Sequence, residues 1–144
     1  MMLLFPRKPK FFKSFSNKKI IKNVKKKNHI FKFSKLGLLS KEAGFIPNYQ
    51  IESIRLFLRR FLKKRAQIFF RFFPNQPITK KPNEIRLGRG KGPFKYWTFY
   101  TKKGKHIIEI TGLNYKLLTL ALRIIKYKLT IKSYIYNQNF RWIL

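Results

Sequence analysis

The sequence predicts a single α+β domain: a mostly antiparallel sheet, two amphipathic helices and a basic N-terminal arm. Three observations predict it. Two stretches repeat apolar residues at helical spacing, several short aromatic and β-branched runs sit between turn signals, and the first 28 residues follow neither pattern. A length of 144 residues allows one domain with a substantial core and is too short for two full ones. The expected division is a basic arm over 1–28, the α+β domain over 29–137 and a short extension over 138–144.

The arm contains "PRKPKFFKSFSNKKIIKNVKKKN", a block of like charge with no sustained period and no acid. Two readings fit. Blocks of like charge are commonly disordered, solubilising tails. Phe5, Phe11, Phe12 and Phe15 favour the other reading, an arm that orders against RNA with its rings packed on bases or in grooves, because free tails seldom carry such an apolar load.

A short strand is predicted over His29–Ser34, where Ile30, Lys32 and Ser34 alternate with two Phe. Pro47 and Asn48 then signal a helix start, and Ile51, Ile54, Leu58, Phe61 and Leu62 form one apolar stripe. Arg55, Arg59, Arg60, Lys63 and Lys64 lie mostly off that stripe. They make either an ordinary solvated face or one that meets RNA; the absence of any acid from Ser53 to Lys81 favours RNA, since a solvated helix normally mixes signs. "QIFFRFF" (Gln67–Phe73) reads as a buried strand halted by "PNQP", and Glu84–Leu87 as a short strand after a loop ending at Pro82. Phe94–Thr101 and His106–Thr111 pair through the turn "KKGK", and Gly112 breaks the sheet. A second helix runs from near Asn114 to about Lys128 on Leu117, Leu118, Ala121, Leu122 and Ile125, and Ile131–Tyr136 closes as a last strand.

Charge narrows the function. Lys and Arg total 35 against four acids, all Glu, for a formal charge of +31 and a pI near 11.0. That charge strains a free compact monomer by self-repulsion, so a polyanion is expected to neutralise it. Nucleic acid is the favoured partner, because cations on phosphates release counterions without reading sequence. An anionic membrane surface is the alternative, weakened because the charge is not gathered on one amphipathic helix. No membrane span is predicted: the most apolar run, Leu117–Ile125, contains Arg123 and falls short of the roughly 20 residues a bilayer requires. The absence of cysteine removes disulfides, thiolate zinc sites and thiol nucleophiles. The start of the chain is not a secretory signal; a mitochondrial presequence is the alternative, disfavoured because the segment is Lys- and Phe-rich without a helical period. Phe, Tyr, Met, Ile, Asn and Lys, all with A/T-rich codons, make up more than half of the chain, as in many organelle genomes.

Catalysis is not expected. Glu84 and Glu109, on predicted neighbouring strands, are the only candidate carboxylate pair, and an isolated Glu among so many cations reads as half of a structural ion pair. Strand alternation puts His106 and Glu109 on opposite faces, and a metal there would lack a third ligand. No nucleophile, base and orienter assemble, so no cofactor, metal or small-molecule substrate is predicted.

The stretch "RLGRGKGPFKYW" (Arg86–Trp97) resembles neither the dinucleotide glycine motif nor the phosphate loop ending Gly-Lys-Ser/Thr, and it links two strands where both motifs open a helix. It reads as a side-chain-poor finger whose backbone approaches a polyanion while Arg86, Arg89 and Lys91 contact phosphates. A plain surface loop with incidental charge is the alternative.

The order of these motifs resembles the L-sixteen family of large-ribosomal-subunit proteins. "FRFFPNQPITKKPNEIRLGRGKGPFKYW" is similar to that family's strand, Pro-Asp-x-Pro-Ile-Thr-x-Lys-Pro turn, Arg-Met-Gly-x-Gly-Lys-Gly loop and following Tyr-Trp. "QIESIRLFLRR" resembles its Gln-Ile-Glu helix and "PRKPKFFK" its opening. The likeness is good over 45–136, weak over the first ten residues or so and nearly absent over 14–44. Pro47 replaces the family's Thr before the first helix, Asn75 the turn Asp and Leu87 the loop Met. The rewriting of 14–44 suggests a divergent, mitochondrial ribosome, with a plastid or bacterial one as the alternative. The family-like opening at Met2 favours organelle encoding without a cleaved presequence.

The resemblance implies an α/β-hammerhead-type domain among large-subunit rRNA helices and neighbouring ribosomal proteins. It implies a glycine loop (Arg86, Gly88, Arg89, Gly90, Lys91, Gly92) pointing between A- and P-site tRNA towards the peptidyl transferase centre. The rRNA contacts are then expected at Arg7, Lys8, Lys10, Lys13, Lys18, Lys19, Lys25, Lys26, Lys27, Arg55, Arg59, Arg60, Lys63, Lys80 and Lys81. The protein would be a scaffold, with the chemistry belonging to the RNA. The rival is a free-standing protein that binds RNA or an anionic membrane surface.

Overall fold

A computed structural model of the chain describes residues 4–15, 31–86, 88 and 90–138. The elements are β1 (Leu36–Ser40), β2 (Gly44–Pro47), α1 (Asn48–Leu62), β3 (Ala66–Phe70), β4 (Gln76–Thr79), β5 (Phe94–Thr101), β6 (His106–Gly112), α2 (Tyr115–Lys128) and β7 (Ser133–Asn137). The predicted α+β class holds. Every strand pair is antiparallel, and the strands divide into a four-stranded sheet, β3-β6-β1-β7, and a three-stranded one, β2-β5-β4.

One apolar core joins the sheets through the helices. α1 buries Ile51, Ile54, Leu58 and Leu62; α2 buries Leu118, Ala121, Leu122 and Ile125. They meet Leu36, Leu38, Ile108, Ile110 and Ile135 of the larger sheet and Ile46 and Phe99 of the smaller. Truncating Leu58 or Leu122 to Ala costs about 2–5 kcal/mol, because both are fully enclosed and leave a cavity. α2 has a working cap: Asn114 Oδ1 accepts the N–H of Leu117 at 3.2 Å. α1 has none, since Pro47 holds its N-cap position without a side-chain acceptor. The missing hydroxyl cap expected from Pro47 is therefore real.

The opposite face of the larger sheet is covered by residues 31–34. Phe69, Glu109, Gly37 and Tyr136 stand in register across β3, β6, β1 and β7. Gly37 supplies no side chain, and Phe31 fills the gap: a Cβ at Gly37 would lie 2.8 Å from Phe31 Cε1 and 2.6 Å from the Ile108 carbonyl oxygen. The Phe31 ring meets His106 edge-on at 4.6 Å and stacks on Tyr136 at 5.4 Å.

Five local expectations change. Of the strand predicted over His29–Ser34, residues 29 and 30 lie outside the described residues, and 31–34 are not a strand. The reason is that the Lys32 and Phe33 N–H groups go to the Glu109 carboxylate and not to a ladder, while Ser34 Oγ donates to the Leu36 carbonyl. The strand predicted over Glu84–Leu87 is a turn as far as it is described, with the Ile85 N–H on the Pro82 carbonyl; Leu87 lies outside. β5 pairs instead with β4, inside the stretch that reads as a strand-halting turn. Pro77 is tolerated there because β4 is an edge strand. β2, a short edge strand ending at Pro47, has no counterpart among the predicted elements. Finally, Glu84 is exposed in a turn, so it forms no pair of neighbouring-strand carboxylates with Glu109.

Candidate nucleic-acid interface

The glycine loop rises between β4 and β5. Gly88 and Gly90 have φ of 104° and 76°, which favour glycine, and a Cβ on either would meet nothing within 4 Å. Their requirement is backbone conformation. Gly92 differs: it is buried, and a Cβ there would lie 2.7 Å from the backbone of Lys80 and Lys81. The base of the loop is thus pressed against the Lys80–Lys81 segment. The Lys80 N–H donates to the Pro93 carbonyl at 3.1 Å, and Lys81 Nζ donates to the Gly88 carbonyl. Lys80 and Arg86 are exposed; Arg89 lies outside the described residues.

The described part of the arm folds back on this loop. Phe12 sits 5.9 Å from Phe94 and 6.2 Å from Trp97, whose own rings are 5.2 Å apart. Lys13 Nζ donates to the Lys91 carbonyl at 3.3 Å, Lys91 Nζ donates to the Ser14 carbonyl, and the same ammonium lies 4.4 Å from the Phe15 ring centre. The ring of Phe12 is therefore engaged by protein, and Lys91 is held by the arm. Arg7, Lys8, Lys10 and Lys13 are exposed, and so are Phe11 and Phe15. Lys18, Lys19, Lys25, Lys26 and Lys27 lie outside the described residues.

The cations of α1 form a separate group. Arg55 donates through Nε and Nη2 to Glu52 at 2.8 and 2.5 Å. That hydrogen bond holds the Glu52 carboxyl below its ordinary range and pushes the Arg55 guanidinium higher still. Arg59 and Arg60 are exposed in the last turn, where they also suit the negative end of the helix dipole. Lys63 follows with a φ of 51°, its N–H on the Arg59 carbonyl. Among the described residues no hydrogen bond or ring contact joins this group to the loop.

Sequence reasoning missed the cluster on the outer face of the larger sheet. Glu109 is fully buried; Oε1 pairs with Arg71 Nη1, and Oε2 accepts the Phe33 N–H at 2.8 Å and the Lys32 N–H at 3.3 Å. The structural ion pair expected for an isolated Glu is thus found for Glu109. His106 and Glu109, expected on opposite faces, approach to 4.0 Å. A bulge explains it: Leu38 pairs with Ile108 but Leu39 with His106, so the skipped Ile107 reverses the alternation. Among the described residues no group of three His, Cys, Asp or Glu could hold a metal ion, and no helix is long and apolar enough to cross a membrane.

Residues 6–136 match the sequence pattern of the family described as Ribosomal protein L16p/L10e. The chain belongs to that family. It is a structural protein of the ribosome and not an enzyme. The match includes 14–44, the stretch whose motifs carry hardly any likeness. "Large ribosomal subunit protein uL16c" of Euglena longa is 39% identical over 140 residues, covering 95% of this chain and all of the relative. "Large ribosomal subunit protein uL16" of Karelsulcia muelleri is 35% identical over 131 residues, 91% of this chain and 95% of the relative. The protein of the same name from Rhizobium meliloti is 35% identical over 131 residues, 91% of this chain and 94% of the relative.

Proposed function

We propose that this chain is a scaffold of the large ribosomal subunit that binds large-subunit rRNA through its arm and α1. Its glycine loop would reach towards A- and P-site tRNA near the peptidyl transferase centre. The observation that carries this reading is the joint built by Phe12, Lys13 and Lys91, which makes arm and loop one cationic unit. A net charge of +31 with all but one Glu at least partly exposed leaves that unit in need of polyanion. The open space around Gly88 and Gly90 suits a narrow approach to crowded RNA. The proposed division is an arm over 1–28, a domain over 29–137 and an extension over 138–144, and the abundance of residues with A/T-rich codons supports an organelle ribosome, mitochondrial first and plastid or bacterial otherwise.

Sedimentation tests the assignment. A tagged chain expressed in its own organelle should travel with large subunits and stay there through a moderate salt wash. Recovery in the free or membrane fractions would overturn it. For the loop, a variant lacking residues 88–92 should still enter subunits while binding tRNA poorly. Unchanged tRNA binding in assembled particles would remove the tRNA role and leave the rRNA role standing.

A further inference from the structure

We infer that Phe33 is a stacking platform for an unpaired RNA base, with Lys32 beside it for the phosphate. The inference rests on the RNA-binding reading above and adds a site to it. Phe33 lies on the outer face of the larger sheet, 48% exposed, although it belongs to a segment whose backbone is firmly held. Its ring stacks on Phe69 with centroids 4.8 Å apart and planes 16° from parallel. Lys32 Nζ and the Arg71 guanidinium lie 5.4 and 5.5 Å from the ring centre.

Three features distinguish this arrangement from an incidental surface ring. First, the ring is fixed before any ligand arrives: Glu109 accepts its backbone N–H and, through the other carboxylate oxygen, pairs with Arg71. A planar ligand therefore meets a surface whose ordering cost has already been met by the fold. Second, the ion pair with Glu109 holds Arg71 over the ring, 5.5 Å from its centre, while exposed Lys32 has no acid partner for its ammonium among the described residues and is available for a phosphate. Third, an exposed aromatic ring with two cations over it suits a group that is planar on one side and anionic on the other. A nucleotide in a single-stranded or bulged stretch is such a group, and aromatic side chains on sheet faces are a general means of holding one. A purely apolar protein partner would leave the Lys32 charge desolvated.

Affinity measured against salt separates stacking from phosphate contact. The full chain is titrated onto labelled oligoadenylate and, as a polyanion without bases, onto heparin. Phe33→Ala should weaken oligoadenylate binding about tenfold, within the range for one stacked base, with the slope of log K against log salt unchanged. Heparin binding should not change. Phe33→Trp should bind as well as wild type or better, and Lys32→Gln should lower the slope by about one. Phe33→Leu, which keeps apolar packing on Phe69, guards against misfolding and should still show the loss. Wild-type affinity in Phe33→Leu, equal losses for heparin and oligoadenylate, or no effect of any Phe33 change, as expected if another protein covers the ring, would overturn the platform. A wild-type chain whose RNA binding ignored salt would remove the RNA-binding reading itself, and the platform with it.

Discussion

Glu109 and Arg71, 38 residues apart in sequence, pair across the outer face of the larger sheet, and the same carboxylate holds the backbone of Phe33 at 2.8 Å. The pair therefore fastens a segment that has no ladder of its own. Glu109→Ala should cost about 3–5 kcal/mol, because it leaves a guanidinium and the Lys32 and Phe33 N–H groups without their acceptor. Glu109→Gln should cost less, since an amide oxygen can still accept the Phe33 N–H. Urea midpoints and tryptic cleavage after Lys32 provide the measurement. Equal midpoints and unchanged cleavage would mean the carboxylate fastens nothing.

Gly37 should resist even the smallest substitution. A methyl group there lies 2.6 Å from the Ile108 carbonyl and 2.8 Å from Phe31, so backbone must move. Gly37→Ala is expected to cost about 1–3 kcal/mol, as overpacking does. Near-ultraviolet dichroism should show altered tyrosine bands as the Phe31 contact with Tyr136 is disturbed. A variant with the wild-type spectrum and stability would show that the sheet can give way without loss.

Within the glycine loop the expected order of damage is Gly92 before Gly90. Gly90→Ala strains φ but meets open space, a penalty of about 1–2 kcal/mol confined to the loop. Gly92→Ala drives a methyl into the Lys80–Lys81 backbone and should lift the loop off its base. Hydrogen exchange at the Lys80 N–H, bonded to the Pro93 carbonyl, reports on that docking. Faster exchange is expected in Gly92→Ala and little change in Gly90→Ala; the reverse order would refute this account.

On α1, replacing Arg59 and Arg60 with Gln should flatten the salt dependence of RNA binding by about one unit of slope for each phosphate that is no longer neutralised. Arg55→Gln should change the slope less, because Glu52 already occupies that guanidinium. A larger effect at Arg55 would mean that RNA displaces the Glu52 partner.

Lys105 carries a pH signature. Burial, then the charges of Lys102 and Arg71, lower its ammonium below the ordinary lysine range, so the folded chain loses that proton at a lower pH than the unfolded one. Between the two values the unfolded state binds more protons, and stability rises with pH. Lys105→Met removes this dependence. The stability of the variant relative to wild type should be greatest at neutral pH and shrink as pH climbs towards 10.5, the ordinary lysine value. A constant difference across that range would show that the ammonium is not desolvated.

Much of this was legible in the sequence because it is local. The α1 stripe through Ile51, Ile54, Leu58 and Leu62, the start of α2 near Asn114 and the turn between β5 and β6 each depend on residues within a few positions of one another. The misses have the opposite character. Lys32 and Phe33 look like a strand by alternation, yet their N–H groups are taken by Glu109, 77 and 76 residues away. Pro77 looks like a strand breaker, yet an edge position makes it harmless. The bulge at Ile107 reverses a face assignment that period 2 alone would fix. In the interface, Lys91 reads as a phosphate contact in the sequence, and only the folded arm shows that Ser14 and Phe15 hold it.

The order of strands in the larger sheet also sets a timetable. β1 lies between β6 and β7, the last two strands of the chain. At typical translation speeds, the roughly one hundred residues from β1 to β7 take about 5–20 s to appear. For most of that interval β1 lacks β6, and for all of it β7, while the cationic arm ahead of it has already been made. RNA can therefore be met by the arm first and by the finished domain second. For a chain that cannot complete its own sheet until its final strand is synthesised, early capture of the arm by rRNA, as proposed, would keep a half-made apolar face away from other half-made copies.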